Sequence, residues 1–210
     1  MYIPENYKNE DTNDVKKFIK EHSFGILVTH GGGKTLATHI PLELTTNKEG
    51  KDVLQGHIAK RNPQKENFKN DIEVLCIFNG PHSYISSSWY NYEEVPTWNY
   101  IAVHVYGKLK VIKGEELVVA LKELVDTYEV DSENPISIEK LSDKTMGQVH
   151  GIVGFEIEIT DIQATKKLSQ GHDEENYLNI ISKLENRKGA NSEKIATCMK
   201  ELKNKNEQKR

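Results

Sequence analysis

The chain has 210 residues, 36% hydrophobic and 29% charged, which suits one globular core or one core with an appendage. No apolar run approaches the roughly 18 residues that cross a bilayer, and the polar start MYIPENYKNEDTND lacks the basic beginning and apolar centre of a secretory signal, so a cytoplasmic protein without membrane contact is expected. The net charge of −4 is unevenly spread: residues 1–182 hold 19 Lys and Arg against 28 Asp and Glu (−9), whereas 183–210 hold 9 against 4 (+5), a basic tail that is either solvated or meets phosphates.

A short amphipathic helix with Val15, Phe18 and Ile19 on one side opens the chain. The pattern then turns to β: FGILVTH, a GGG turn, TLATHIPLEL, the turn NKEGKD and DVLQGHI read as a meander of hairpins. GGGKT is not a phosphate loop, because GxxxxGK[ST] needs glycine where Val28 stands and the segment lies between two strands. RNPQKENFKND places Pro63 at a first helical position, predicting a short helix before the strand IEVLCIF. YIAVHVYGKLKVI alternates, with Val103, Val105, Leu109 and Val111 on one face and His104, Tyr106, Lys108 and Lys110 on the other. GEELVVALKELVDTYE has helical period, with Thr127, Tyr128 and Glu129 reading as its solvated end. VGFEIEITDI is a further strand with Val153, Phe155, Ile157 and Ile159 inward. DEENYLNIISKLENR and NSEKIATCMKELKNK are terminal helices, the second carrying the basic tail.

About six strands with helices between them predict a mainly β fold with α, a small antiparallel barrel, because closure removes unpaired sheet edges. The expected division is a barrel domain over residues 1–170 and a helical extension over 171–210. Cys76, inside the apolar run VLCIF, reads as a core residue, and Cys76 and Cys198 form neither a disulfide framework nor a metal knuckle, which fits a reducing compartment.

Four segments carry polar residues unlike ordinary surface: ATHIP, GHIAKRNP, GPHSYISSSWY with VPTWNY, and KKLSQ. Each mixes hydroxyl, amide, imidazole or ammonium donors with Gly, Pro or an aromatic, a composition suited to an anion and a flat ring. Lys60 and Lys166 or Lys167 supply the cation, and Thr38 or Ser86 a hydroxyl, for a phosphate. The two tryptophans, Trp89 and Trp98, read either as packing in the core or a dimer interface or as partners of a ring. The eight histidines show no HExxH, HxH or CxxC companion, so no metal site is expected, and no GxSxG marks a nucleophile.

The runs MYIP, GHIAKRNP, GPHSYISSSWY, VPTWNYIAVHVYGKL and IVGFEIEIT followed by KKLSQ resemble, over nearly the whole chain, the PaiB family of FMN-binding negative transcriptional regulators. The resemblance implies the FMN-binding split-barrel fold, a homodimer, and FMN near the dimer interface. The residues it marks are Thr38, His39, His57, Lys60, Asn62, Ser86, Trp89, Trp98, Lys167 and Gln170: Thr38 and Ser86 for phosphate or ribityl oxygens, Lys60 and Lys167 for phosphate, Trp89 or Trp98 for the ring. Where the family pattern carries YISPSWY, Ser87 replaces the proline. A repressor acting on DNA directly or through a partner is the reading the resemblance gives. An FMN-dependent oxidoreductase or flavin reductase, in which the cofactor supplies the redox chemistry, and a ligand-free dimeric interaction module are the alternatives.

Overall fold

Val15, Phe18 and Ile19 are buried on one side of α1 (Thr12–Glu21) in the computed structural model, which describes residues 1–69 and 71–208. Lys209 and Arg210, the end of the expected basic tail, lie outside the described residues. Seven strands follow: β1 (Phe24–Gly31), β2 (Lys34–Pro41), β3 (Glu43–Thr46), β4 (Asp52–Ala59), β5 (Ile72–Ile85), β6 (Thr97–Ile112) and, after α2 (Glu115–Glu129) and the short α3 (Asp143–Met146), β7 (Ile152–Lys167). The chain closes with α4 (Glu174–Asn186) and α5 (Ala190–Glu207).

The strands form one sheet in the order β2-β1-β5-β6-β7-β4-β3. The β1–β2 hairpin turns on Gly32 and Gly33, at φ 57° and 74°, a pair of left-handed residues that glycine adopts without steric cost and that matches the twist of the flanking strands. Glycine at 107 answers a different demand, because a Cβ there would collide with the Glu158 carbonyl oxygen of β7.

Seven strands stand where six were expected, because TLATHIPLEL is not one strand. β2 ends at Pro41, whose nitrogen has no hydrogen to donate, and the next amide, of Leu42, donates to the Ser23 carbonyl at 2.8 Å instead of to a strand partner. The chain then leaves β1 and pairs with β4 as β3, so the hydrogen-bonded ladder has two ends and is not closed. Two alternations also slip. Val103, Val105 and Leu109 are buried, but Val111 is half-buried and Ile112 takes the inward place; on β7, Phe155 and Ile157 are buried while Val153 and Ile159 are half-buried. The helix expected after Pro63 is a single 3-10 turn, Pro63–Asn67. The end of α2 is held rather than merely solvated: the Tyr128 hydroxyl donates to Glu43 Oε1 at 2.7 Å and lies 2.5 Å from Ser23 Oγ.

The chain divides into two compact units. A central unit comprises Ile19–Phe78 and His104–Ile162, with a core that includes Leu27, Leu42, Leu54, Phe78, Leu109 and Phe155. A terminal unit comprises Met1–Phe18, Asn79–Val103 and the chain from Gln163 onward; here Ile180, Ile181 and Leu184 of α4 and Ile195 and Met199 of α5 are buried. In α4, the Asp173 side chain caps the first turn by accepting from Asn176 N at 3.0 Å, which satisfies one of the amides a helix start leaves unpaired.

Candidate functional site

In the central unit, β2 and the turn after β4 bring Thr38 and Asn62 together. Asn62 Nδ2 donates to Thr38 Oγ1 at 2.9 Å, and Thr38 Oγ1 donates to Gln64 Oε1 at 2.5 Å. Asn62 also caps the Pro63–Asn67 turn, accepting from Gln64 N at 2.9 Å. Gln64 is 1% exposed, and its Nε2 lies within hydrogen-bond distance of Leu27 O (3.0 Å), Thr29 Oγ1 (3.2 Å) and Leu36 O (3.3 Å). Thr38 and Asn62 are thus wired into a buried amide that ties the turn to the β1–β2 hairpin, and Thr38 keeps one acceptor lone pair.

The other expected residues of this unit point elsewhere. His39 is exposed, its ring 6.5 Å from that of the exposed Phe24. His57 is half-buried in a narrow cleft beside Leu117 and Leu121 of α2, and burial holds its imidazole below the ordinary histidine pKa. Lys60 has its amide fixed to Gly151 O at 2.8 Å, but its side chain is exposed and makes no ion pair among the described residues.

In the terminal unit, Ser86 is an N-cap: its Oγ accepts from Ser88 N at 3.3 Å and opens the 3-10 turn Ser87–Trp89. The Arg187 guanidinium lies 4.4 Å from the centre of the Trp89 ring and donates to the Tyr84 carbonyl at 2.6 Å, covering that indole with a cation. Trp98 is 53% exposed and meets His82 and Tyr84 at ring distances of 6.0 and 5.9 Å. Lys167 donates to Thr97 Oγ1 at 2.5 Å and lies 5.8 Å from the Tyr7 ring centre. Both ends of the Gln170 amide are engaged with its own turn, donating to Lys166 O at 2.6 Å and accepting from Leu168 N at 2.7 Å.

That turn and the VPTWNY segment contain residues that the candidate segments include but that the sequence reading did not single out. Ser169 sits at φ 60°, a conformation that costs a non-glycine residue energy and persists where surroundings fix it. Asn99 fixes it: Asn99 Nδ2 donates to Ser169 Oγ at 2.9 Å, and Ser169 Oγ lies 3.1 Å from Asn99 Oδ1. One signal was available, since Asn99 shares strand parity with Ile101 and Val103 and therefore faces inward. Two further polar atoms, Tyr90 Oη and His104 Nδ1, are buried without a hydrogen-bond partner among the described residues. No cluster of three or more His, Cys, Asp or Glu placed to hold a metal occurs among the described residues.

Residues 1–161 match the family described as "Putative FMN-binding domain". Among curated proteins, the chain is 43% identical over 202 residues to protease synthase and sporulation protein PAI 2 of Bacillus subtilis, covering 96% of this chain and 97% of that protein. It is 28% identical over 228 residues to an uncharacterized protein of Emericella nidulans, covering 89% and 91%. Among solved structures it is similar to an FAD and haem binding protein of Mycobacterium smegmatis, with TM-score 0.61 at 12% identity over 82% of this chain and 78% of that one. It is equally similar to the flavocytochrome Anf3 of Azotobacter vinelandii, with TM-score 0.61 at 15% identity over 84% and 78%. At such identities the likeness is one of fold. With the fold, the near full-length relative and the family match in agreement, the chain belongs to the PaiB family of FMN-binding split-barrel proteins.

Proposed function

We propose that this protein is a negative transcriptional regulator of the PaiB type, working as a cytoplasmic homodimer that holds FMN. The observation that carries the reading is the 43% identity to PAI 2 over 96% of the chain. The donor chemistry supports FMN. Lys60 offers an exposed ammonium with no carboxylate partner among the described residues, and Lys167 is bonded to a neutral hydroxyl, not to an acid. Tyr90 adds a buried O–H that no described residue satisfies. A phosphate and a hydroxylated chain ask for donors of this kind. Bound FMN would supply a redox-active ring; the residues proposed here bind and orient it. His39 and Trp98, both exposed, are proposed as ring contacts.

The exposed aromatic group His82, Tyr84 and Trp98 supports a second copy as partner, since aromatics are enriched at interface cores. For DNA, the basic tail is less available than its charge suggests. Lys200 pairs with Glu185, Lys203 with Glu174 at 2.6 Å, and Lys205 approaches Asp14 at 3.6 Å. Lys183, Lys188 and Lys194 are exposed without an ion pair among the described residues, and these three are the proposed phosphate contacts.

The test has two arms. Freshly purified protein, or protein incubated with FMN and desalted, is expected to show flavin absorbance; a colourless product in both preparations removes FMN from the proposal. Deleting the gene is expected to raise transcription of its targets, and unchanged transcript levels across the genome would remove the regulator reading.

A further inference from the structure

The central unit contains a cleft of about 570 Å³ that none of the flavin contacts proposed above requires except at its edge, where Lys60 stands. Its walls are apolar: Ile112 from the end of β6, Leu117 and Val118 from the first turns of α2, and Met146 and Val149 from the segment before β7. Its rim is cationic or ionisable, with Lys60, Lys113 and His150, and no Asp or Glu is among the described residues that line it. Lys60 and Lys113 are exposed and make no ion pair among the described residues. The volume falls within the range of small-molecule sites, about 300–1,000 Å³. A wall without polar groups rejects a sugar or nucleotide body, whose hydroxyls would be left unpaired, while unneutralised ammonium groups at the mouth favour a negative head.

We propose that this cleft binds a small amphipathic carboxylate, with an aliphatic or aryl body against Ile112, Leu117, Val118, Met146 and Val149 and its carboxylate between Lys113 and Lys60. Gly154 of β7 packs closely against α2, where a Cβ would lie 2.4 Å from Leu117 Cδ1. The opposite wall comes from residues 146–149, which belong to short helical turns between α2 and β7.

The test is calorimetric titration of the full chain with sodium decanoate below its micelle concentration, beside decanol as the uncharged control. Decanoate is expected to bind at one site per chain and more tightly than decanol. Lys113→Ala should weaken decanoate about fivefold, the size appropriate to an exposed ion pair in water, and leave decanol unchanged. Val118→Trp, which fills the cleft from a half-exposed helix position, should abolish binding of both while circular dichroism reports an unchanged fold. Equal affinities for decanoate and decanol would overturn the charged head, and undiminished decanoate binding by Val118→Trp would overturn the site. Neither variant lies among the proposed flavin contacts, so FMN absorbance in both separates a failure of this proposal from a failure of the flavin reading.

Discussion

Two turns that follow long strands are closed by a glutamine, and they are built differently. In Pro63–Asn67 of the central unit, Gln64 is buried and reaches out of its turn to the β1 and β2 carbonyls, so the turn is fixed by the sheet. In the turn at 166–170 of the terminal unit, the Gln170 amide bonds, among the described residues, to the backbone of its own turn, and the outside attachments come from other side chains, Ser169 to Asn99 and Lys167 to Thr97. The residue type is the same, yet one amide anchors and the other only folds back. A glutamine in a motif therefore says little by itself about whether its polar ends remain for a ligand.

If the first turn hangs on its glutamine, Gln64→Ala should give the largest loss of stability. It strips buried partners from Leu27 O, Leu36 O, Thr29 and Thr38, at a cost of about 2–4 kcal/mol. Urea unfolding measures it, and a change below about 0.5 kcal/mol, the scale of an ordinary surface substitution, would mean that the turn does not depend on the amide. Asn99→Ala should follow at about 1.5–3 kcal/mol, since Asn99 is 0% exposed and its loss leaves Ser169 without the bonds that hold φ 60°. Ser169→Gly separates bond from strain: it removes the same hydroxyl but releases the left-handed conformation, so it should cost less than Asn99→Ala. Equal losses for the two would show that conformational strain plays no part.

The same contrast marks what was legible in the sequence. The strands β1, β4, β6 and β7 and the helices α2, α4 and α5 announce themselves by period, because one face of each is buried or half-buried along most of its length, that of α2 being buried at Leu117 and half-buried beyond it. The far half of β5 does not. His82, Ser83 and Tyr84 carry no hydrophobic alternation, and Ser83 is tolerated inside because Ser192, 109 residues later, meets its hydroxyl at 3.1 Å. The break of TLATHIPLEL is equally hidden, since Leu42 turns away to a carbonyl at position 23. Among the candidate residues, the motifs gave chemical types but not their hydrogen-bond commitments. Thr38, Asn62 and Gln170 are engaged in holding turns, whereas His39, Lys60 and Trp98 face outward, a distinction set by partners that lie 24 residues apart for Thr38 and Asn62 and within the same turn for Gln170.

The central unit should also differ in its response to acid. Burial lowers the folded-state pKa of His57, so the unfolded chain takes up a proton first as the pH falls. The contribution is therefore complete above the unfolded value of about 6.5 and is lost as the pH falls through the lower folded value. Below both, no further change comes from this group. His104, whose pKa burial also lowers, adds a slope of the same sign. Thermal unfolding between pH 7.5 and 5 is expected to show falling stability, with a shallower slope in His57→Gln. An identical slope in the variant would assign the acid response to other groups.

The smallest effect is a gain, in the terminal unit, at the turn Ser87–Trp89. Ser86, its N-cap, has φ −76° and ψ 140°, the extended conformation that a following proline demands, and Ser87 is the first residue of the turn, where proline's fixed φ suits a helical start. No described hydrogen bond uses the Ser87 N–H, and the cap reaches from Ser86 Oγ to Ser88 N, which Ser87→Pro leaves in place. The proline also narrows the unfolded ensemble, so the expected stabilisation is about 0.4–1 kcal/mol. A raised unfolding midpoint with unchanged flavin affinity would show that this turn has the backbone of the family's YISPSWY pattern without its proline. A lowered midpoint would mean that Ser87 departs from the helical φ the turn requires, and that the serine is needed for its conformation.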